Sequence, residues 1–158
     1  MKLIFLDIDG VMNSSSGRCP YLADMEAEKL SLLKKLIDES GSTGIVLTSD
    51  RRYSEIYMRL FLDALDQYEI FMFGSLRKPK EIEEDPDDNR GKQIMDFLSN
   101  IDEEIEKIVI LDDNDEGISN LFPDELVIVN RFFGLNEDIY NKAMNILNIE
   151  FKRNLSCN

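Results

Sequence analysis

Two carboxylates two residues apart at the end of an apolar run, Asp7 and Asp9 in Leu3-Ile4-Phe5-Leu6-Asp7-Ile8-Asp9-Gly10-Val11, are the residues of this chain best suited to chemistry. A strand of Leu, Ile and Phe seeks burial, and a charge following it is costly unless the strand opens onto a polar cleft. Side chains two apart on an extended chain share a face, with Cα atoms about 6.6 Å apart. That spacing aims both acids at one centre, and two converging anions call for a cation. Gly10 frees the backbone to turn away just beyond them. A lone DxD is also what an ordinary solvated strand-to-loop junction looks like, and short motifs carry false positives.

Other residues change that balance. The apolar run Ile45-Val46-Leu47 ends in Thr48-Ser49-Asp50, hydroxyls that alone would read as a turn or a helix cap. The run Ile108-Val109-Ile110-Leu111 ends in Asp112-Asp113-Asn114-Asp115. Helix capping and the helix dipole account for some of these acids, but not for an adjacent pair directly after an apolar stretch. Before that strand, Asn89-Arg90-Gly91-Lys92 opens an amphipathic segment. An isolated basic residue there is ordinarily exposed, yet it could reach the same crevice. A DxD, a Thr/Ser, a basic residue and a DD in fixed order are far less expected together than any one alone.

Composition narrows the chemistry. The 158 residues contain no histidine, which removes Ser-His-Asp and Cys-His nucleophile systems, His-ligated zinc and imidazole bases. Carboxylates, hydroxyls, amines and a hard, oxygen-seeking ion such as magnesium or calcium are left. Cys19 and Cys157 are far apart and lie in no CxxC or Cys/His pattern, so neither a disulfide framework nor a zinc site is indicated. The cysteine usage leads to the expectation of a reducing, cytoplasmic setting. No apolar run approaches the ~20 residues of a membrane helix, and no signal-peptide core precedes the first strand. A net charge of −14 argues against a bulk nucleic-acid-binding surface, while leaving room for a small basic spot within a cleft.

These groups need elements to position them. Short apolar runs at 2–7, 44–48, 69–73, 107–112 and 126–130 lack clean alternation, as in strands covered on both faces. Between them, residues 25–40, 54–65, 92–98 and 136–147 carry helical spacing. The order predicts a three-layer α/β domain with a mainly parallel sheet of about five strands, its reactive groups beyond the carboxyl ends of the strands. Gly41-Ser42-Thr43-Gly44 reads as a helix stop and loop, and 77–89, with two prolines among many acids, as a solvated loop. Residues 1–150 are expected to form one domain and 151–158 a frayed tail.

The four motifs resemble those of the haloacid dehalogenase-like (HAD) hydrolase superfamily. More narrowly, Leu6-Asp7-Ile8-Asp9-Gly10-Val11-Met12-Asn13, Val46-Leu47-Thr48-Ser49-Asp50-Arg51-Arg52, Arg90-Gly91-Lys92-Gln93-Ile94 and Leu111-Asp112-Asp113 are similar to the small HAD phosphatase-like domains of RNA-repair proteins. The resemblance implies a HAD-like, Rossmann-type fold and an aspartyl-phosphate route, with Asp7 as nucleophile and Asp9 as general acid and then base. It implies Mg²⁺ held by Asp7, the backbone carbonyl of Asp9 and Asp113, with Asp112 ligating indirectly or positioning the cation. Thr48, or Ser49 as its close rival, would bind the phosphoryl oxygens. Arg90 is favoured for the basic motif, then Lys92, with Lys78 as a further candidate.

The intervals between motifs leave no room for an independent cap, which in the superfamily goes with bulky substrates such as phosphorylated nucleic-acid ends, nucleotides or phosphoproteins, or with oligomers that supply a lid. Gly10, Asn13, Arg18 and the Arg51-Arg52 pair are the expected substrate contacts, and the chain is expected to be a monomer or homodimer. Two other readings stay open: a catalytically weak metal-binding or interaction module, and a receiver-like phosphoacceptor domain. Against the latter, its acidic pair would precede the central phosphoacceptor and the hydroxyl, whereas here DD follows the hydroxyl.

Overall fold

The computed structural model describes residues 1–16, 21–77 and 88–148. Five parallel strands form one sheet: β1 (Lys2–Leu6), β4 (Gly44–Leu47), β5 (Met72–Ser75), β6 (Lys107–Asp112) and β7 (Leu126–Ile128), in the order β5-β4-β1-β6-β7. A two-stranded antiparallel hairpin, β2 (Tyr21–Leu22) with β3 (Met25–Glu26), follows the first strand. Four α-helices, α1 (Ala27–Ser40), α2 (Glu55–Gln67), α3 (Arg90–Ser99) and α4 (Glu137–Asn148), and a 3-10 turn at Asp50–Tyr53 complete the chain's elements among the described residues. This is the open, capless HAD-like α/β fold that the motif order implies.

The strands lack alternation because both faces are covered. Ile4, Leu6, Ile45, Leu47, Val109 and Leu111 face a core built with Leu33 of α1, Phe61 of α2 and Ala143 of α4. Leu3, Phe5, Val46, Ile108 and Ile110 face a second core with Ile94 and Phe97 of α3. Phe5 meets Phe97 edge to face at 5.8 Å. The chain leaves β1 for β4 and β5 on one side, then crosses to β6 and β7 on the other. The tip of β1 therefore lies where the strand order reverses, the place where open α/β sheets form a crevice.

Several boundaries differ from the sequence expectation by a residue or more, three of them for a local reason. The first helix begins at Ala27 because Met25 and Glu26 pair with Leu22 and Tyr21 across a two-residue turn, Ala23 and Asp24 both having positive φ. The strand expected at 69–73 is Met72–Ser75. The turn that ends α2 uses the preceding residues: Glu69 is left-handed, and the Ile70 N–H donates to the Leu65 carbonyl. The last strand closes at Ile128, with Val129 still donating to the Asp112 carbonyl. The helix stop at Gly41 is left-handed, with φ 68°. The acidic loop at 78–87, with Lys78, lies outside the described residues, as do Arg18, Cys19 and the tail.

Candidate active site

Asp7 follows directly on β1, and its N–H donates to the Leu111 carbonyl at 3.0 Å, which extends the β1–β6 pairing to the acid itself. Asp112 ends β6, and Asp113 follows. Carboxylate oxygens of Asp7, Asp112 and Asp113 all lie within 4.8 Å of one another. Asp112 is fully buried and Asp7 is 6% exposed. From α3, Arg90 reaches into this cluster. Its Nη1 donates to Asp112 Oδ2 at 2.7 Å and stands 3.6 Å from Asp7 Oδ1, while its Nε is 3.3 Å from Glu116. Ser49, just past the tip of β4, lines the same cleft as Asp7, and its hydroxyl favours the charged Asp7 carboxylate. Tips of three neighbouring strands and the start of one helix thus surround a cleft of about 500 Å³.

Burial, and next the charge of Asp112, push the Asp7 carboxyl up to about 7, although Arg90, the Ile8 N–H and the Ser49 hydroxyl oppose the shift. Burial likewise raises Asp112 against the pull of Arg90. Three clustered acids with one buried guanidinium are short of positive charge. An all-oxygen donor set with that deficit fits a hard divalent cation, with Asp7, Asp112 and Asp113 as its side-chain ligands.

Asp9 lines the cleft but does not join the cluster. The extended spacing that would aim it at the same centre ends with β1, because a tight turn starts at Ile8, whose carbonyl accepts from the N–H groups of Val11 and Met12. The Asp9 carboxylate is instead gripped by Arg51, Nε to Oδ2 at 2.9 Å and Nη2 to Oδ1 at 2.8 Å, with Asn13 Nδ2 at 3.2 Å. Arg51 also pairs with Asp24 of the hairpin turn. These bonds, Arg51 foremost, hold Asp9 below the usual carboxylate range. Only its backbone carbonyl, the group that the resemblance assigns to the metal, is left for ligation.

The other sequence candidates divide clearly. Gly10 sits at φ 79°, and a Cβ there would stand 2.4 Å from Asp113 Oδ2 and 2.9 Å from Arg131 Cβ, so its bareness gives room to the Asp113 carboxylate. Asn13 staples the loop, accepting from the Gly10 N–H and donating to Asp9 and to the Asp24 carbonyl. Of the hydroxyl pair, Ser49 lines the cleft, whereas Thr48 Oγ1 is buried with no hydrogen-bond partner among the described residues. Lys92 is exposed on α3 and does not line the cleft.

Arg52, expected to meet substrate, is 3% exposed. Its guanidinium donates to the Thr48 and Arg77 carbonyls, Asp50, the Tyr53 hydroxyl and Gln93 Oε1, so it ties the β4 tip to α3 and the β5 end instead. Two arginines of the site are not given their roles by the sequence. Arg51 stands there as half of a basic pair expected to meet substrate, with no sign that Asp9 is its partner. Arg131, whose Nη2 lies 3.2 Å from Asp113 Oδ2, was not singled out, though its place just after the fifth strand was a usable signal.

An open parallel sheet bearing a carboxylate cluster on two adjacent strand tips, a hydroxyl on a third and a guanidinium from the crossing helix defines a HAD-like domain, a class whose members are generally phosphatase-type hydrolases. The chain belongs to the family described as the HAD domain in Swiss Army Knife RNA repair proteins, whose model matches residues 3–139. A comparison with curated proteins found no match.

Proposed function

We propose that this domain is a magnesium-dependent phosphomonoesterase that works through an aspartyl-phosphate on Asp7 and acts on a bulky substrate: a nucleic-acid end, a nucleotide or a phosphoprotein. The observation that carries the reading is the buried, charge-deficient cluster of Asp7, Asp112 and Asp113 beside Arg90 and Ser49. The family match supports it at the level of hydrolase class.

In the first half-reaction an Asp7 carboxylate oxygen attacks phosphorus, the bond from phosphorus to the leaving oxygen breaks, and that oxygen takes a proton from the protonated fraction of Asp9, the form that Arg51 disfavours. In the second, Asp9 takes a proton from water as the water oxygen attacks phosphorus, and the Asp7–phosphorus bond breaks to release inorganic phosphate. A bound Mg²⁺ supplies Lewis-acid stabilisation of the transferring group and offsets repulsion between it and the carboxylates. Ser49 and Arg90 stabilise charge on the phosphoryl oxygens. Arg51 favours ionised Asp9, the form that the second half-reaction uses, and it fixes the carboxyl's direction. Asp24 of the β2–β3 turn is paired with Arg51, and among the described residues no cap covers the cleft, which suits a large substrate.

Asp7→Asn tests the assignment. Hydrolysis of p-nitrophenyl phosphate with Mg²⁺ should fall to background while the far-ultraviolet circular dichroism is unchanged; turnover at an undiminished rate would remove Asp7 from the role.

A further inference from the structure

The strand β7 leads into Asn130-Arg131-Phe132-Phe133-Gly134, a turn with one side in the phosphate cleft and the other in a second groove. Arg131 lines the cleft with Asp7, Asp9 and Asp113. Phe132 and Phe133, the next two residues, line a groove of about 860 Å³ together with Leu32 and Leu135. Both rings are largely exposed, 54% and 57%, and meet edge to face at 5.0 Å. Large exposed aromatics commonly lie in loose segments, but this turn is pinned throughout. The Phe132 N–H donates to Asn130 Oδ1 at 2.9 Å, and the Phe133 and Gly134 N–H groups donate to the Asn130 carbonyl at 3.0 and 2.9 Å. The buried Lys29 ammonium donates to the Phe133 carbonyl at 2.9 Å. On the cleft side, the Arg131 carbonyl accepts from Ser15 N–H at 3.0 Å. Gly134, at φ 64°, leaves no room for a Cβ against Lys29 and the Val11 carbonyl. The fold therefore holds two aromatic rings in water, at a fixed place one residue from the cleft.

Resting on the phosphatase reading above, we infer that Phe132 and Phe133 form a stacking platform for the nucleobase of the substrate, so that the phosphomonoester cleaved at Asp7 belongs to a nucleotide or to the terminal nucleotide of an oligonucleotide. A base offers a flat π-face to an exposed ring and is held there without sequence readout. Arg131 stands between platform and cleft, where sugar and phosphate meet. The charges around the groove bear on the length of the occupant. Glu26, Glu28, Glu137 and Asp138 line it against Lys29 and Lys35, a net negative rim that favours one terminal nucleoside over a phosphate chain running along the surface.

The test compares Phe132→Ala/Phe133→Ala with the unaltered protein on two substrates: a nucleoside monophosphate, offered as the 3′ and the 5′ isomer, and glycerol 2-phosphate, which has no ring. The nucleotide kcat/KM should fall at least fivefold, mainly through KM, as expected when one stacked base is worth about 1 kcal/mol or more. Glycerol 2-phosphate turnover should stay unchanged. Phe132→Leu/Phe133→Leu keeps apolar area and removes the rings, so it should show the same loss and also covers poor folding of the alanine pair. Separately, 2-aminopurine riboside monophosphate is titrated onto the Asp7→Asn protein with Mg²⁺. Its fluorescence should be quenched, and the quenching should vanish when both rings are removed. That arm needs no turnover, so it reads the platform even if the phosphatase reading fails. Equal effects on both substrates, preference for a phosphoserine peptide, or a change of oligomeric state without a change in nucleotide KM would overturn the platform and leave the phosphatase reading standing.

Discussion

Asp9 is held on two sides before any substrate arrives, by both nitrogens of the Arg51 fork and by Asn13, and Arg51 is itself anchored to Asp24. Such a clamp sets the direction of the carboxyl that the proposed mechanism turns first to a leaving oxygen and then to a water. Arg51→Met should lower kcat for a small phosphomonoester by about 100-fold with KM within a few-fold, because misplacing a reacting group by about 1 Å costs that much. A KM effect with kcat preserved would make Arg51 a substrate contact instead. Asp7, Arg90, Asp112 and Asp113, and Ser49 as the rival of the favoured Thr48, were legible from sequence because each follows an apolar strand or opens a helix beside one, so the backbone alone carries it to the crevice. The Arg51–Asp9 pair was not, since it is chosen by side-chain reach across 42 residues. The pleat argument for Asp9 failed for a local reason: the strand stops before it.

At the scale of elements, two glycines bring α3 close enough for Arg90 to work. A Cβ on Gly91 would stand 2.4 Å from the Gly117 carbonyl oxygen, and Gly117, at φ 76°, is packed on the Asn89 side chain. Gly91→Ala should push the start of α3 away from the loop after β6 and withdraw Arg90 from Asp112. Stability should fall by about 1–3 kcal/mol, as for overpacking elsewhere, and activity by more than stability accounts for. Denaturant unfolding and a turnover assay on the folded fraction separate the two.

The hairpin has its own fastening. Glu26 accepts from the Ser14 N–H at 2.5 Å and hydroxyl at 2.6 Å and pairs with Lys29 at 3.2 Å. Burial opposes the charge, yet these bonds outweigh it and hold the Glu26 carboxyl below its ordinary 4.5. The unfolded chain then takes up the proton first as pH falls, so this contribution is complete above 4.5 and is lost through the lower, folded value. The stability advantage of wild type over Glu26→Gln should therefore shrink on acidification from about pH 6 to about pH 3; a difference independent of pH would mean that charge plays no part there. The sheet strands and the four helices were legible because compact apolar runs and 3.6-residue spacing survive without context. The hairpin was not, because two-residue strands have no period and Ala23-Asp24 is not the Asn-Gly pair that marks such turns.

For the whole molecule, charge is the governing quantity. At −14 the folded chain repels itself, and the buried acids of the cleft add to that strain. A divalent ion bound there should raise the thermal midpoint by several degrees: at 100 times its dissociation constant a ligand adds about 2.7 kcal/mol, and each kcal/mol is worth about 2–4 °C at this size. Asp113→Asn should remove most of the Mg²⁺ shift. A wild-type midpoint indifferent to Mg²⁺ would mean that the cluster holds no metal. None of the described helices is long and apolar enough to cross a membrane.

The strand order has a last consequence, for biosynthesis. β1 lies in the middle of the sheet, and its neighbour β6 is drawn from the far side of the chain, so Asp7 and Asp112 meet only after more than a hundred residues have been joined. A nascent chain arrested before β6 holds Asp7 and Arg90 but carries β1 paired along its β4 edge alone, with Asp112 and Asp113 still missing. Fragments released at that stage should be sticky along the open edge of β1, and the carboxylate cluster should appear in one step when β6 docks.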